Sequence, residues 1–421
     1  MFKQQKLNNG LRVLLAPMAD TKAVTVLVLT KVGSRYETKD INGASHFVEH
    51  LMFKGTKKRP TTKHISKELD GIGADYNAFT SKDHTGYYIK TRADKAELAL
   101  EMLSDMLFNS KFEADEMNRE RGVIVEEINM YEDNPMMYME DLFEQTVYGD
   151  HPLGWNIAGP KEVIKKVSRA KLYSYYKKYY QPKNMLVAVA GRIDNKTIDL
   201  VKKYFSNNTK KDKLGNYRKI SIKQTKPQIK IKYKDTEQAQ LALGFPAYSF
   251  TSNKIYPLYL LSVILGGNMS SRLFTTIRER KGLCYFIRSS VNLYQDTGTL
   301  MIQAGLDKSR LSPAITEILK ELKKLKQSGV TKNELCKAKD YLEGKLTLQL
   351  EASDSVASWL SRQELLENKI ITPAELVKKL EKVTVQDVSK VANELIKTNR
   401  INLSLIGPYK NNSEFKGLLK L

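Results

Sequence analysis

Apolar positions change period several times along the chain, and each change predicts an element. Leu11, Val13 and Leu15 alternate after the turn Asn8-Asn9-Gly10, which reads as a hairpin over residues 7–13. Residues 24–32 form a nearly continuous apolar run, expected as a central strand, and Gly33-Ser34 breaks it. Residues 61–69 read as a short helix, and residues 71–89 as two strands joined at 81–83. Helical spacing through Leu98, Leu100, Met102, Leu103 and Leu107 predicts a helix over 95–108, and a longer one follows over 114–131. Pro135 interrupts, a third helix runs to about 147, residues 171–180 are helical again, and a buried strand over 185–190 ends at Gly191. Helices come in runs rather than strictly between strands, so the pattern predicts an α+β fold.

The second half repeats this order weakly but collinearly. Residues 241–245 match the central strand, 315–325 followed by 330–335 match the helix pair around 112–117, and 383–388 leading to 401–407 match 167–191. The expectation is two similar α/β-sandwich domains related by internal duplication, each a mixed, mostly antiparallel sheet flanked by helices. Residues 207–217 are polar and rich in turn formers, which sets the boundaries at 1–210, a linker at 211–225, and 226–421. A length of 421 residues suits two cores.

Charge and cysteines narrow the classes. The 69 Lys+Arg against 47 Asp+Glu give a net +22, but the lysines are scattered (Lys210, Lys211 and Lys213; Lys320, Lys323, Lys324 and Lys326) and match no nucleic-acid fold signature. They read as a solvated surface, and no nucleic-acid partner is expected. Cys284 and Cys336 have no metal-ligand spacing and make no disulfide framework. The first fifteen residues pass directly into turn and strand without an apolar leader, and no run approaches a membrane span. A soluble protein of a reducing compartment, the cytoplasm, is expected.

The chemistry concentrates in His46-Phe47-Val48-Glu49-His50. Asn42 is placed to cap a helix and Gly55 to end it, so both imidazoles, four residues apart, share a face, with Glu49 on the same side. Two neutral imidazoles and a carboxylate suit zinc. The H-x-x-E-H order is the inverted zinc-peptidase motif, in which the two His bind metal and the Glu takes a proton from the water that the metal polarises. Only five histidines exist, and the second half has none, so it has no second His-based site to offer.

With Phe53-Lys54-Gly55-Thr56, Asn77-Ala78-Phe79-Thr80-Ser81, Glu120 with Glu126-Glu127, His151-Pro152-Leu153-Gly154, and Arg278 with Tyr285, this motif resembles the insulinase (pitrilysin-like) zinc peptidases, the group that includes mitochondrial processing peptidase. The resemblance spans essentially the whole chain and implies one Zn2+ per chain on His46, His50 and Glu127. Glu127 follows the second His by the family's spacing (127 − 50 = 77). It further implies that Glu49 is the general base, that Glu120 supports the metal site, and that Asn77, Ala78 and Phe79 form an edge strand pairing with an extended peptide. Arg278 and Tyr285, seven residues apart (285 − 278 = 7), would hold the substrate carbonyl, with Ser270 or Ser271 capping the helix that carries Arg278 and Tyr285 on the strand beyond. A homodimer with composite sites enclosing a chamber for short or unfolded peptides is the implied assembly. A catalytically silent scaffold subunit, or a processing peptidase for basic presequences, are the alternatives within the same family.

Overall fold

A computed structural model describes residues 2–208 and 213–421 and divides them into two compact units. Unit 1 comprises Met1–Ile128, Trp155–Arg218 and Thr347–Ile371; unit 2 comprises Asn129–Gly154, Lys219–Leu346 and Thr372–Leu421.

Unit 1 carries strands β1 (Lys3–Lys6), β2 (Arg12–Pro17), β3 (Ala23–Thr30), β4 (Asp75–Thr80), β5 (Thr85–Arg92) and β6 (Met185–Gly191), in the order β1-β2-β6-β3-β5-β4. Only β2 and β6 are parallel. The apolar run predicted at 24–32 is interior strand β3, and Val24, Val26 and Val28 are fully buried in it. Unit 2 carries β7 (Gln228–Tyr233), β8 (Gln238–Ala247), β9 (Phe286–Leu293), β10 (Gly298–Asp307) and β11 (Asn402–Gly407), in the order β7-β11-β8-β10-β9, with β7 and β11 parallel and the rest antiparallel. Strand for strand this repeats β2-β6-β3-β5-β4. The duplication read from the sequence is therefore a duplication of sheet topology, and the fold is α+β.

Sequence and structure divide the chain differently. The sequence breaks it once, whereas each compact unit takes a segment from the opposite half. Helix Ser353–Glu367 packs on β3 and β6 of unit 1, where Ser353 bonds Thr25 at 2.8 Å. Helix Pro135–Tyr148 packs on β11 and β8 of unit 2, with Met139, Leu142 and Phe143 buried and Thr146 bonding Ser404 at 2.7 Å. Apolar periodicity reports that a helix has a buried face and is silent about which sheet covers it. The exchange also puts His151 into unit 2, so that unit holds one histidine despite the His-free second half of the sequence. Of the expected linker, residues 211–212, with Lys210 of the basic cluster, lie outside the described residues. The next stretch is pinned: the Arg35 guanidinium lies 3.8 Å over the Tyr217 ring. No helix of the described residues is long and apolar enough to cross a membrane.

The helix Ala44–Met52 starts differently from the sequence expectation. Asn42 does not cap it; Gly43 occupies that position at φ 100°, where a Cβ would press on the Ala158 carbonyl and Ile164. The orphan N–H groups are met by Glu37, which accepts from Gly43 N–H at 2.7 Å, Ser45 N–H at 2.7 Å and the Asn42 amide at 2.9 Å. Burial pushes the Glu37 carboxyl up to about 7 against those three donors. Nor does Gly55 end the helix, which stops at Met52 and is capped by Phe53 in a right-handed conformation; Gly55, at φ 117°, lies in the loop beyond. Glu37→Ala strips both N–H acceptors from a buried helix start and is expected to cost about 1–3 kcal/mol, read as a lowered midpoint in urea unfolding.

Candidate metal centre

The helix Ala44–Met52 is fixed in rotation by Phe47, Val48, Leu51 and Met52, all fully buried, which leaves His46 and His50 on the open face. Their Nε2 atoms are 3.3 Å apart. Glu127 comes from the long helix Ala114–Asp133, and its Oε2 lies 3.5 Å from His46 Nε2 and 3.4 Å from His50 Nε2. All three donor atoms fall within 4.8 Å of one another, the one such group of His, Cys, Asp or Glu found among the described residues. Two nitrogens and a carboxylate oxygen turned toward a common point fit a zinc ion. Buried His46 Nδ1 has no hydrogen-bond partner among the described residues, so that ring's orientation comes from packing and from its Nε2 side.

Glu120 bonds the far side of the second imidazole: its Oε2 is 2.9 Å from His50 Nδ1, and its other oxygen is 2.5 Å from Lys54 Nζ. Burial raises the Glu120 carboxyl, but the bonds from His50 and Lys54 outweigh that and leave it low. Glu127 is likewise held well below the carboxylate range, chiefly by hydrogen bonds with His46 and His50. Burial alone would lower the His50 pKa, but the bonds and charges of Glu120 and Glu127 raise it to about 9. Glu49 stands on the same helix, and burial raises its carboxyl. Its Oε2 accepts from the Thr80 hydroxyl on β4. Neighbouring Glu126 is exposed.

Asn77, Ala78 and Phe79 lie on β4, an edge strand of its sheet. The Ala78 N–H donates to the Asn77 side-chain oxygen at 2.8 Å. In unit 2, Arg278 sits in the π-helical stretch Phe274–Arg280, stacked 4.6 Å over Phe274 and 3.9 Å from Glu279. Neither Ser270 nor Ser271 caps that stretch through its side chain; Ser271 Oγ donates to the Asn268 carbonyl instead. Tyr285 precedes β9 by one residue rather than lying on it, is 44% exposed, and accepts from Gln240 Nε2 at 2.7 Å. No hydrogen bond joins Arg278 to Tyr285.

Sequence reasoning gave no role to Glu37, Lys54, Thr80 or Gln240, though Lys54 and Thr80 lie in the stretches that carry the resemblance. Two of them had a signal: Lys54 is four residues beyond His50, and Thr80 alternates with Ala78 onto one face of β4. For Glu37 and Gln240, which meet their partners through tertiary packing, there was none.

This fold and this site define an inverted-motif, HxxEH metallopeptidase-type protein. The chain belongs to the insulinase family of peptidases, M16. Residues 12–161 match the model for Insulinase (Peptidase family M16), and residues 166–342 match the Peptidase M16 inactive domain. It is 38% identical over 98% of its length to an "Uncharacterized zinc protease" of Bacillus subtilis, covering 99% of that protein. A zinc protease so named from Streptomyces coelicolor is 32% identical over 97% of this chain and 90% of its own. Among solved structures, a protease from Helicobacter pylori superposes with a TM-score of 0.91 at 29% identity, over 97% of this chain and 99% of that one. A Pseudomonas fluorescens M16 inactive-domain structure, 18% identical with a TM-score of 0.88, shares the fold, over 97% of this chain and 98% of its own.

A metal ligand must be deprotonated, and the bonds and charges of Glu120 and Glu127 raise the His50 pKa to about 9. Zinc uptake at pH 7.5 is therefore expected to release close to one proton per site, with apparent affinity rising up to about pH 9. Calorimetry in buffers of different ionisation enthalpy measures the release.

Proposed function

We propose that the protein is a zinc-dependent endopeptidase that hydrolyses short or unfolded peptides. The observation that carries this reading is the convergence of His46, His50 and Glu127 on one point, with the desolvated carboxylate of Glu49 on the same helix face. Zinc, when bound there, supplies a Lewis acid that lowers the pKa of water and polarises a carbonyl. Glu49 accepts the proton from the attacking water and returns it to the leaving amine, a task suited to a carboxylate whose pKa burial has raised. Glu120 fixes the His50 tautomer through Nδ1, and Lys54 keeps Glu120 charged. The β4 edge offers main-chain pairing to an extended peptide, a grip largely independent of side chains. Arg278 and Tyr285 donate to the carbonyl oxygen as charge develops on it. Retention of every motif residue favours this over the silent scaffold.

The assembly that goes with this reading is a homodimer in which the metal unit of one copy works with the Arg278 and Tyr285 unit of the other.

Glu49→Gln is expected to retain one zinc per chain while turnover of a quenched peptide falls by about 10²- to 10⁴-fold. Chelation is expected to abolish wild-type turnover, and zinc to restore it. Near-wild-type turnover by the variant would remove Glu49 from the chemistry. For the assembly, Glu49→Gln and Arg278→Ala, each nearly inactive alone, are expected to regain activity on mixing, through one intact site per mixed dimer. Silence after demonstrated subunit exchange would place both sets of residues within one copy.

A further inference from the structure

We propose that Thr80 is a positioning residue that locks the Glu49 carboxylate and couples it to the strand on which the peptide docks. This rests on the peptidase reading given above and adds to it a residue outside the metal set.

The argument begins with what holds Thr80. It is the last residue of β4, opposite Thr85 of β5, and the turn after it is tied down at every residue. Ser81 N–H donates to the His84 carbonyl at 2.9 Å, and the Ser81 and Lys82 carbonyls accept from Ser34 N–H and Arg35 N–H, each at 3.1 Å. Asp83 pairs with the Arg35 guanidinium at 2.9 Å, both side chains buried, and Lys82 Nζ donates to the Trp155 carbonyl at 2.5 Å. A side chain on Gly33 would run into the Ser81 carbonyl, so the backbone approaches closely there. This end of β4 is thus fixed, while Asn77, three residues back, is exposed.

Strand alternation turns Thr80 with Tyr76 and Ala78 to the side of the helix Ala44–Met52, where its hydroxyl donates to Glu49 Oε2. Glu49 Oε1 has no hydrogen-bond partner among the described residues. One carboxylate oxygen is held and the other is left to move a proton. A Glu side chain has three rotatable bonds, and among the described residues Thr80 alone fixes this one by hydrogen bonding. The same strand therefore presents the docking edge at Asn77–Phe79 and the donor that orients the base.

The test compares Thr80→Val, which keeps the shape and removes the donor, with Thr80→Ser, which restores the donor. Zinc content, kcat and KM are measured on quenched peptides, and crystal structures are determined for the zinc-free wild type and Thr80→Val. Thr80→Val is expected to keep its zinc and a KM within about twofold, to lose about 10- to 100-fold in kcat, and to show Glu49 in a changed or split rotamer. Thr80→Ser is expected to recover most of kcat. Unchanged kcat, loss carried by KM, loss of zinc, no recovery in Thr80→Ser, or an unmoved Glu49 in the valine variant would each overturn the assignment. A wild type without turnover would instead sink the peptidase reading, and the two zinc-free structures would still decide the Thr80 contact.

Discussion

Two imidazole nitrogens and a carboxylate oxygen crowded within 4.8 Å form the constraint on which the rest of unit 1 depends. Lone pairs turned toward one another in a half-buried site destabilise the fold unless a proton or a cation is shared among them. The surroundings make the sign of the missing charge explicit. Three carboxylates, Glu49, Glu120 and Glu127, stand against the single ammonium of Lys54, and with neutral imidazoles the balance is two negative charges (3 − 1 = 2). A divalent cation neutralises that excess; one proton on His50, drawn there by the two glutamates, neutralises half of it. A ligand that must lose a proton to bind makes proton release and metal uptake two views of one equilibrium.

Rigidity around this point comes from ordinary folding forces. Four buried apolar side chains set the helix rotation, Glu37 satisfies its first N–H groups, and the Arg35–Asp83 pair clamps the turn that follows β4. The clamp is buried, so its net contribution to stability is small, and its value is geometric. With guanidinium and carboxylate both buried, the pair ties the turn to Arg35.

Local pattern made the elements and the two histidines of the metal set legible. The apolar run that became β3, the helices at 95–108 and 114–131, and the four-residue spacing of His46 and His50 are consequences of periods 2 and 3.6, which act within a few residues. Helix exchange between the halves was illegible because the buried faces of Pro135–Tyr148 and Ser353–Glu367 look alike whichever sheet receives them. Glu37 was missed for a related reason. A carboxylate seven residues before a helix caps it only when the intervening chain folds back, which short spacing does not encode. Glu127 could be placed only through the family's spacing, since no local rule relates residues 50 and 127.

The duplication lets the two units be compared strand by strand. In both sheets the interior strand leads through helices to an edge strand and back: β3 to β4 and β5 in one, β8 to β9 and β10 in the other. The helix just before the edge strand is Thr62–Asp70 in the first copy and Phe274–Arg280 in the second. In the first copy the connection after it is plain, and the chemistry sits one helix earlier, on Ala44–Met52, and on β4 itself. In the second, the equivalent connection carries Arg278 at the end of the helix and Tyr285 at the mouth of β9, with Gln240 on β8 supporting the tyrosine. One topology thus supplies an electron-pair-donor set in one copy and a hydrogen-bond-donor set in the other. In the proposed reaction a cation with a base would raise the nucleophile, and N–H or O–H groups would receive the charge on oxygen. A duplicated fold can carry different side chains in its two copies, because a sheet tolerates changes in the connections between its strands.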